Sequence, residues 1–90
     1  MTNGNVLKVS GQSNPSSVAG AIAGLLRTED KVELRAIGAG AVNQAVKSIA
    51  VARGYVAANG MNLVCIPAFG ECEVEDTEKS MIRFIIKSEV

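Results

Sequence analysis

Val32-Glu33-Leu34-Arg35-Ala36-Ile37-Gly38-Ala39-Gly40-Ala41-Val42-Asn43-Gln44-Ala45-Val46-Lys47 changes its hydrophobic period part-way along. Val32, Leu34 and Ala36 alternate with Glu33 and Arg35, the two-residue period of a half-buried strand over residues 32–38. From Gly38 onward the period is helical. With Val42 as the origin of a helical wheel, Ala45, Val46, Ile49, Ala52 and Arg53 gather on one side. Asn43, Gln44, Lys47 and Ser48 fall on the other side, together with Val51. Gly54 reads as the residue just past the helix, which is therefore expected to end near Arg53, its cation against the negative end of the dipole. A strand feeding a helix through a glycine turn is the repeating unit of an α/β chain.

The flanks repeat that unit. Upstream, Leu7 and Val9 alternate with Lys8 and Ser10 in a strand over residues 6–10. A turn, Gly11-Gln12-Ser13-Asn14, leads to Pro15, which suits the first helical position because its missing N–H has no intrahelical partner there. Pro15 also pushes Asn14 toward the extended conformation of an N-cap. Val18, Ile22, Leu25 and Leu26 mark the buried face of a helix over about residues 15–28. Gly20 and Gly24, four apart, each cost about 1 kcal/mol of helix propensity, and are expected where this helix approaches the sheet or its neighbour closely.

Downstream, residues 57–60 form a turn, and 61–66 are a strand of branched residues closed by Pro67. Residues 80–87 are the last strand, with Ile82, Phe84 and Ile86 opposite Arg83 and Lys87. The order is β-α-β-α-β-β. Right-handed crossovers make the first strands parallel and place both helices on one face of a four-stranded mixed sheet. The fold class is α/β (α+β), a single domain over residues 1–90, with 1–4 flexible and 70–79 an acidic hairpin loop joining the last two strands.

Composition narrows the function. Ninety residues with 48% apolar and 20% charged side chains build one compact core rather than a disordered chain. Basic and acidic residues balance at nine each, so no overall field selects a polyanion or a membrane. The charges are unevenly spread: residues 1–65 hold six basic and three acidic side chains, and residues 66–90 hold three and six. An anion-binding surface therefore belongs on the first two thirds.

Histidine is absent, which removes His-based triads and the commonest metal ligand. Cys65 and Cys72 are read as small buried or half-buried residues, and neither a metal nor a cofactor is expected. Ser10, Ser13, Ser16 and Ser17 have no base to activate them and serve turns and caps. Three aromatics, Tyr55, Phe69 and Phe84, are too few for a base-stacking platform. The chain is not read as an enzyme. No secretory signal pattern is visible, and the most apolar stretch, residues 18–26, is less than half a membrane span, so a cytoplasmic protein is expected.

Gly38-Ala39-Gly40-Ala41 is the segment with an anion-binding logic. The glycines permit a tight turn, and the N–H groups that open the helix have no acceptors and carry the positive dipole end. A plain structural connection uses the same glycines. The third glycine of a dinucleotide fingerprint is replaced by Asn43, and no P-loop is present. Asn43, Gln44 and Lys47 follow on the exposed side, and the 12–14 turn opens at the same carboxyl edge of the sheet. The candidate nucleic-acid contacts are Lys8, Gln12, Ser13, Asn14, Gly38, Gly40, Asn43, Gln44, Lys47 and Arg53. Val51, opposite the buried stripe, and Tyr55 are candidate interface residues, or scattered surface apolars.

Leu7-Lys8-Val9-Ser10, residues 14–21, residues 36–47, residues 50–56 and Cys65-Ile66-Pro67-Ala68-Phe69 together resemble the stage V sporulation protein S family, over about residues 5–87. That family resembles the Alba superfamily of small dimeric chromatin and RNA-binding proteins, whose element order is the one read above. The resemblance implies a cytoplasmic bacterial homodimer, non-enzymatic, that binds DNA or RNA and regulates late endospore formation. The alternative is a protein–protein assembly module without nucleic-acid contact. Alba proteins grip nucleic acid with lysines in the first β-α turn, basic residues opening the second helix and a basic hairpin. Here the first turn holds Gln12, Ser13 and Asn14, the second helix offers only Lys47 as a cation, and residues 71–78 are acidic. Weak, salt-sensitive binding is the expectation.

Overall fold

A computed structural model describes residues 4–70 and 80–89. Its elements are β1 (Val6–Val9), α1 (Pro15–Leu25), β2 (Lys31–Ile37), α2 (Ala39–Ala57), β3 (Leu63–Gly70) and β4 (Met81–Ser88). The sheet order is β1-β2-β4-β3. β1 runs parallel to β2, and β4 is antiparallel to both β2 and β3. This is the expected mixed four-stranded sheet with its β-α-β-α-β-β order. No helix among the described residues is long and apolar enough to cross a membrane.

Both helices pack on one face. Leu34, Val32 and Ile86 of the sheet and Ile22 of α1 are completely enclosed there. Asn14 caps α1 as its chemistry dictates: extended at φ −84°, ψ 118°, its Oδ1 accepts from the N–H groups of Ser16 and Ser17 at 2.9 and 3.2 Å. Regular α1 stops at Leu25 rather than near residue 28, and three turn residues with 3.0–3.3 Å backbone bonds complete it.

α2 departs most from expectation. It runs four residues beyond Arg53, through Gly54, to Ala57. Gly54 is not a left-handed stop; Gly60, at φ 78°, is. Arg53 therefore lies outside the last turn and meets no dipole end. The inward stripe is Ala41, Ala45, Ser48, Ala52 and Val56, rotated by about one residue from the wheel centred on Val42. Small side chains face inward because α1 and α2 pack more extensively on each other than on the sheet. Ser48 is enclosed, not exposed, and satisfies its hydroxyl by donating to Gln44 O at 2.7 Å. Val46 is turned out, and Val51 is half-buried against the core rather than opposite it.

Two further expectations fail. A Cβ built on Gly20 or Gly24 would meet nothing within 4 Å, so neither glycine marks a close approach. β3 starts at Leu63 and continues through Pro67 to Gly70. It is an edge strand, where a residue without an N–H breaks no ladder if its vacant side faces outward. Gly70 thus belongs to β3 and pairs with Met81, while the remainder of the acidic hairpin, 71–79, and residues 1–3 lie outside the described residues.

Candidate nucleic-acid interface

Parallel pairing of β1 with β2 brings both β-α turns to one corner of the molecule. The turn after β1 is tied by Ser10, whose N–H donates to Ser13 Oγ at 2.9 Å and whose Oγ accepts from Gln12 N–H at 3.1 Å. Gly11 there approaches the start of α2 so closely that a Cβ on it would lie 3.8 Å from Gly40 C and 3.9 Å from Ala41 N. Gln44 locks the pair, its Nε2 donating to Ser13 O at 2.8 Å. The turns form one surface.

Gly38 opens α2 at φ 91°, ψ 159°, with no side-chain cap. That backbone region is open almost only to glycine. Val42 N–H is the first to find a helical acceptor, Gly38 O at 3.0 Å. The N–H groups of Ala39, Gly40 and Ala41 precede it and have no acceptor within the helix, at the positive end of a 19-residue dipole. Asn43 and Lys47 stand exposed one turn apart on α2. Lys47 is the one charged side chain in residues 10–14 and 38–47. Two candidate groups are already engaged: Asn14 Oδ1 caps α1 and Gln44 Nε2 holds Ser13. They shape the corner, leaving Gln12, Asn43, Lys47 and the backbone to face a ligand.

The family model of stage V sporulation protein S matches residues 5–89, nearly the whole chain. The chain belongs to that family. Its fold is also similar to a crystal structure of ALBA1 from Trypanosoma brucei, with a TM-score of 0.65 over 97% of this chain and 72% of that one. Sequence identity there is 12%, so the likeness is one of fold, and it establishes the Alba-like architecture.

The family's shared fold does not gather every candidate. Arg53 lies ten residues beyond Asn43, about 15 Å along the helix at 1.5 Å per residue, and projects nearer Val46 than Lys47. Lys8 points away from the helices altogether, onto the opposite face of the sheet, where it pairs across strands with Arg35. That face carries no helix among the described residues, and apart from Lys8 none of its arginines and lysines was a candidate in the sequence reading. The signal was present as the polar half of each alternating strand, Lys8, Lys31, Arg35, Arg83 and Lys87. Cys65 is half-buried, and burial pushes its thiol above the ordinary value, which suits an inert packing residue. Tyr55, 48% exposed, borders an open groove between the helices beside Gly20 and Gly24.

Proposed function

We propose that this member of the family is a non-enzymatic, cytoplasmic regulator of late endospore formation in bacteria that binds DNA or RNA as a homodimer. The grip is the corner where the two β-α turns meet. One observation supports it above others: Gly11 lies against Gly40 and Gln44 bonds Ser13, so uncapped helical N–H groups, Asn43 and Lys47 share a single rigid surface. Backbone N–H groups and a helix N-terminus suit phosphate oxygens, which position a nucleic acid without reading its bases. With Lys47 as the corner's one cation, two per dimer, few counterions are released, and log K falls with log salt at a slope of about −2 per dimer.

Fluorescence anisotropy with labelled DNA and RNA at two salt concentrations tests this reading. Binding at low salt that is lost in Lys47→Glu supports it; no binding to either polymer, or an unchanged Lys47→Glu, refutes it. Tyr55 favours a second reading, an assembly module whose partners are proteins, because an exposed tyrosine beside an open groove suits an interface. Val51 does not join it, being packed against the core. Recovery of one stoichiometric protein partner that survives nuclease treatment would favour this alternative.

A further inference from the structure

Strand register lays out the helix-free face of the sheet as a grid. Lys8, Arg35 and Arg83 make one row across β1, β2 and β4, and Lys31 opposes Lys87 in another. Four residues separate the two rows along β2 and β4, about 13 Å at 3.3 Å per residue. Val6, Val64, Ile66, Ala68 and Ile85 share this face, apolar where a solvated sheet face is ordinarily polar. Ile66 is 49% exposed. Glu33, the one carboxylate in the four strands, is already engaged within the face, 2.6 Å from Arg35 Nε and 3.5 Å from Arg83 Nη1. Lys8, Lys31 and Lys87 are exposed and form no ion pair among the described residues.

Lys31 and Lys87 are the informative pair. Like charges set directly opposite one another destabilise a sheet, so folding gains nothing from having both. Five cations less one carboxylate leave four positive charges on this face, in a chain whose formal net charge is zero. The compensating charge is in residues 71–78, which hold Glu71, Glu73, Glu75, Asp76 and Glu78 and no cation. That run lies outside the described residues, but the chain leaves the sheet for it at Gly70 and returns at Met81, directly opposite. Ten residues, 71–80, passing out and back span at most about 18 Å. Lys87 stands six residues from Met81, about 20 Å along the strand. The run therefore reaches the Lys31–Lys87 row of its own chain only at full stretch, a limit that does not apply to a second copy.

We propose that this face docks the acidic run, residues 71–78, of a second copy of the chain, and that two such contacts exchanged about a two-fold axis hold the homodimer together. The inference rests on the homodimer of the proposed function and names its surface; it does not depend on the corner formed by the two turns. Lys8, Lys31 and Lys87 supply the uncompensated charge, and Val64, Ile66 and Ile85 supply apolar area. Surface ion pairs are individually weak and act in numbers, so the contact is sensitive to salt. The same face of a second copy is a poor occupant, because four positive charges would meet four. A single-stranded nucleic acid would find no ring to stack on. Register puts Phe69 and Phe84 on the helix-bearing side, and Tyr55 belongs to α2.

The test is sedimentation equilibrium of the full chain at about 0.01 M and about 1 M salt, between which the screening length falls from about 30 to about 3 Å. A dimer at low salt and a monomer at high salt are expected. Lys87→Glu should weaken association by about tenfold or more, because like charges then meet across the contact. The same change should raise the thermal midpoint, since it turns repulsion from Lys31 into attraction. Weaker association in a more stable chain cannot come from misfolding. Glu75→Lys with Asp76→Lys should weaken association in the same way. Mixed with the Lys87→Glu chain, that variant should form a heterodimer, because both contacts of the pair then join opposite charges. A mixture that stays monomeric would confine the contact to one chain and overturn the proposal. A dimer indifferent to salt and to these variants would also overturn it while leaving the homodimer, which would then rest on another surface such as that around Phe69, 77% exposed. A chain monomeric at every salt would overturn both. An unchanged Lys87→Glu dimer that loses binding to duplex DNA would assign the face to nucleic acid instead.

Discussion

Gly38 and Gly40 stand two residues apart and answer to different physics. Gly38, at φ 91° and ψ 159°, occupies a region that costs a side-chain-bearing residue about 1–3 kcal/mol. Gly38→Ala should lower stability by that amount, read as a fall in thermal midpoint. Gly40 is helical, and a Cβ there would rest 3.7 Å from Gly11 Cα, an ordinary contact. Gly40→Ala should therefore fold normally and gain up to about 1 kcal/mol from a less flexible unfolded chain. Any loss of nucleic-acid affinity in that variant then reports a methyl group standing between phosphate and backbone. At this scale the sequence was readable where chemistry is local. Asn14 and Pro15 act on their own neighbours, so cap and helix start were visible. Ser48 was not, because a serine whose hydroxyl bonds its own helix can be buried without any partner that sequence would reveal.

Elements were legible in kind and order, less so at their ends. α2 outran its expected stop because Gly54 costs helix propensity without ending the helix; termination falls at Gly60, whose positive φ closes the chain against Ala57 O at 3.0 Å. β3 outran Pro67 because proline excludes a central strand and not an edge one, and which strand is the edge is a property of the whole sheet. Gly20 and Gly24 show the same limit from the other side. A glycine kept for close packing and a glycine merely exposed look alike in sequence, and only the empty space around both separates them. Gly20→Ala and Gly24→Ala should each stabilise the protein by about 0.5–1 kcal/mol, as exposed helical glycines replaced by alanine do. Chemical denaturation measures this directly; a loss of stability would mean that the groove beside Tyr55 is occupied in solution.

At the scale of the molecule, the parallel β1–β2 pair does most to place function. It sets two turns, 24 or more residues apart in the chain, against each other, and a single side-chain bond from Gln44 to Ser13 O joins them. That the turns share an edge follows from the order of elements and was legible. Their joining into one surface was not, since it depends on the approach of Gly11 to Gly40. The basic row on the opposite face was hidden for a similar reason: alternation reveals that Lys8, Arg35 and Arg83 point away from the core, while only register reveals that they stand side by side. The corner formed by the turns is the centre of the account. Amide NMR of the full chain titrated with a short single-stranded RNA and with a DNA duplex tests it most directly. The expected result is that Gly11–Asn14 and Gly38–Lys47 shift together, with Ala39, Gly40 and Ala41 largest and all of them suppressed by added salt. Saturable shifts confined to other surfaces, or none at the lowest salt with either polymer, would contradict it.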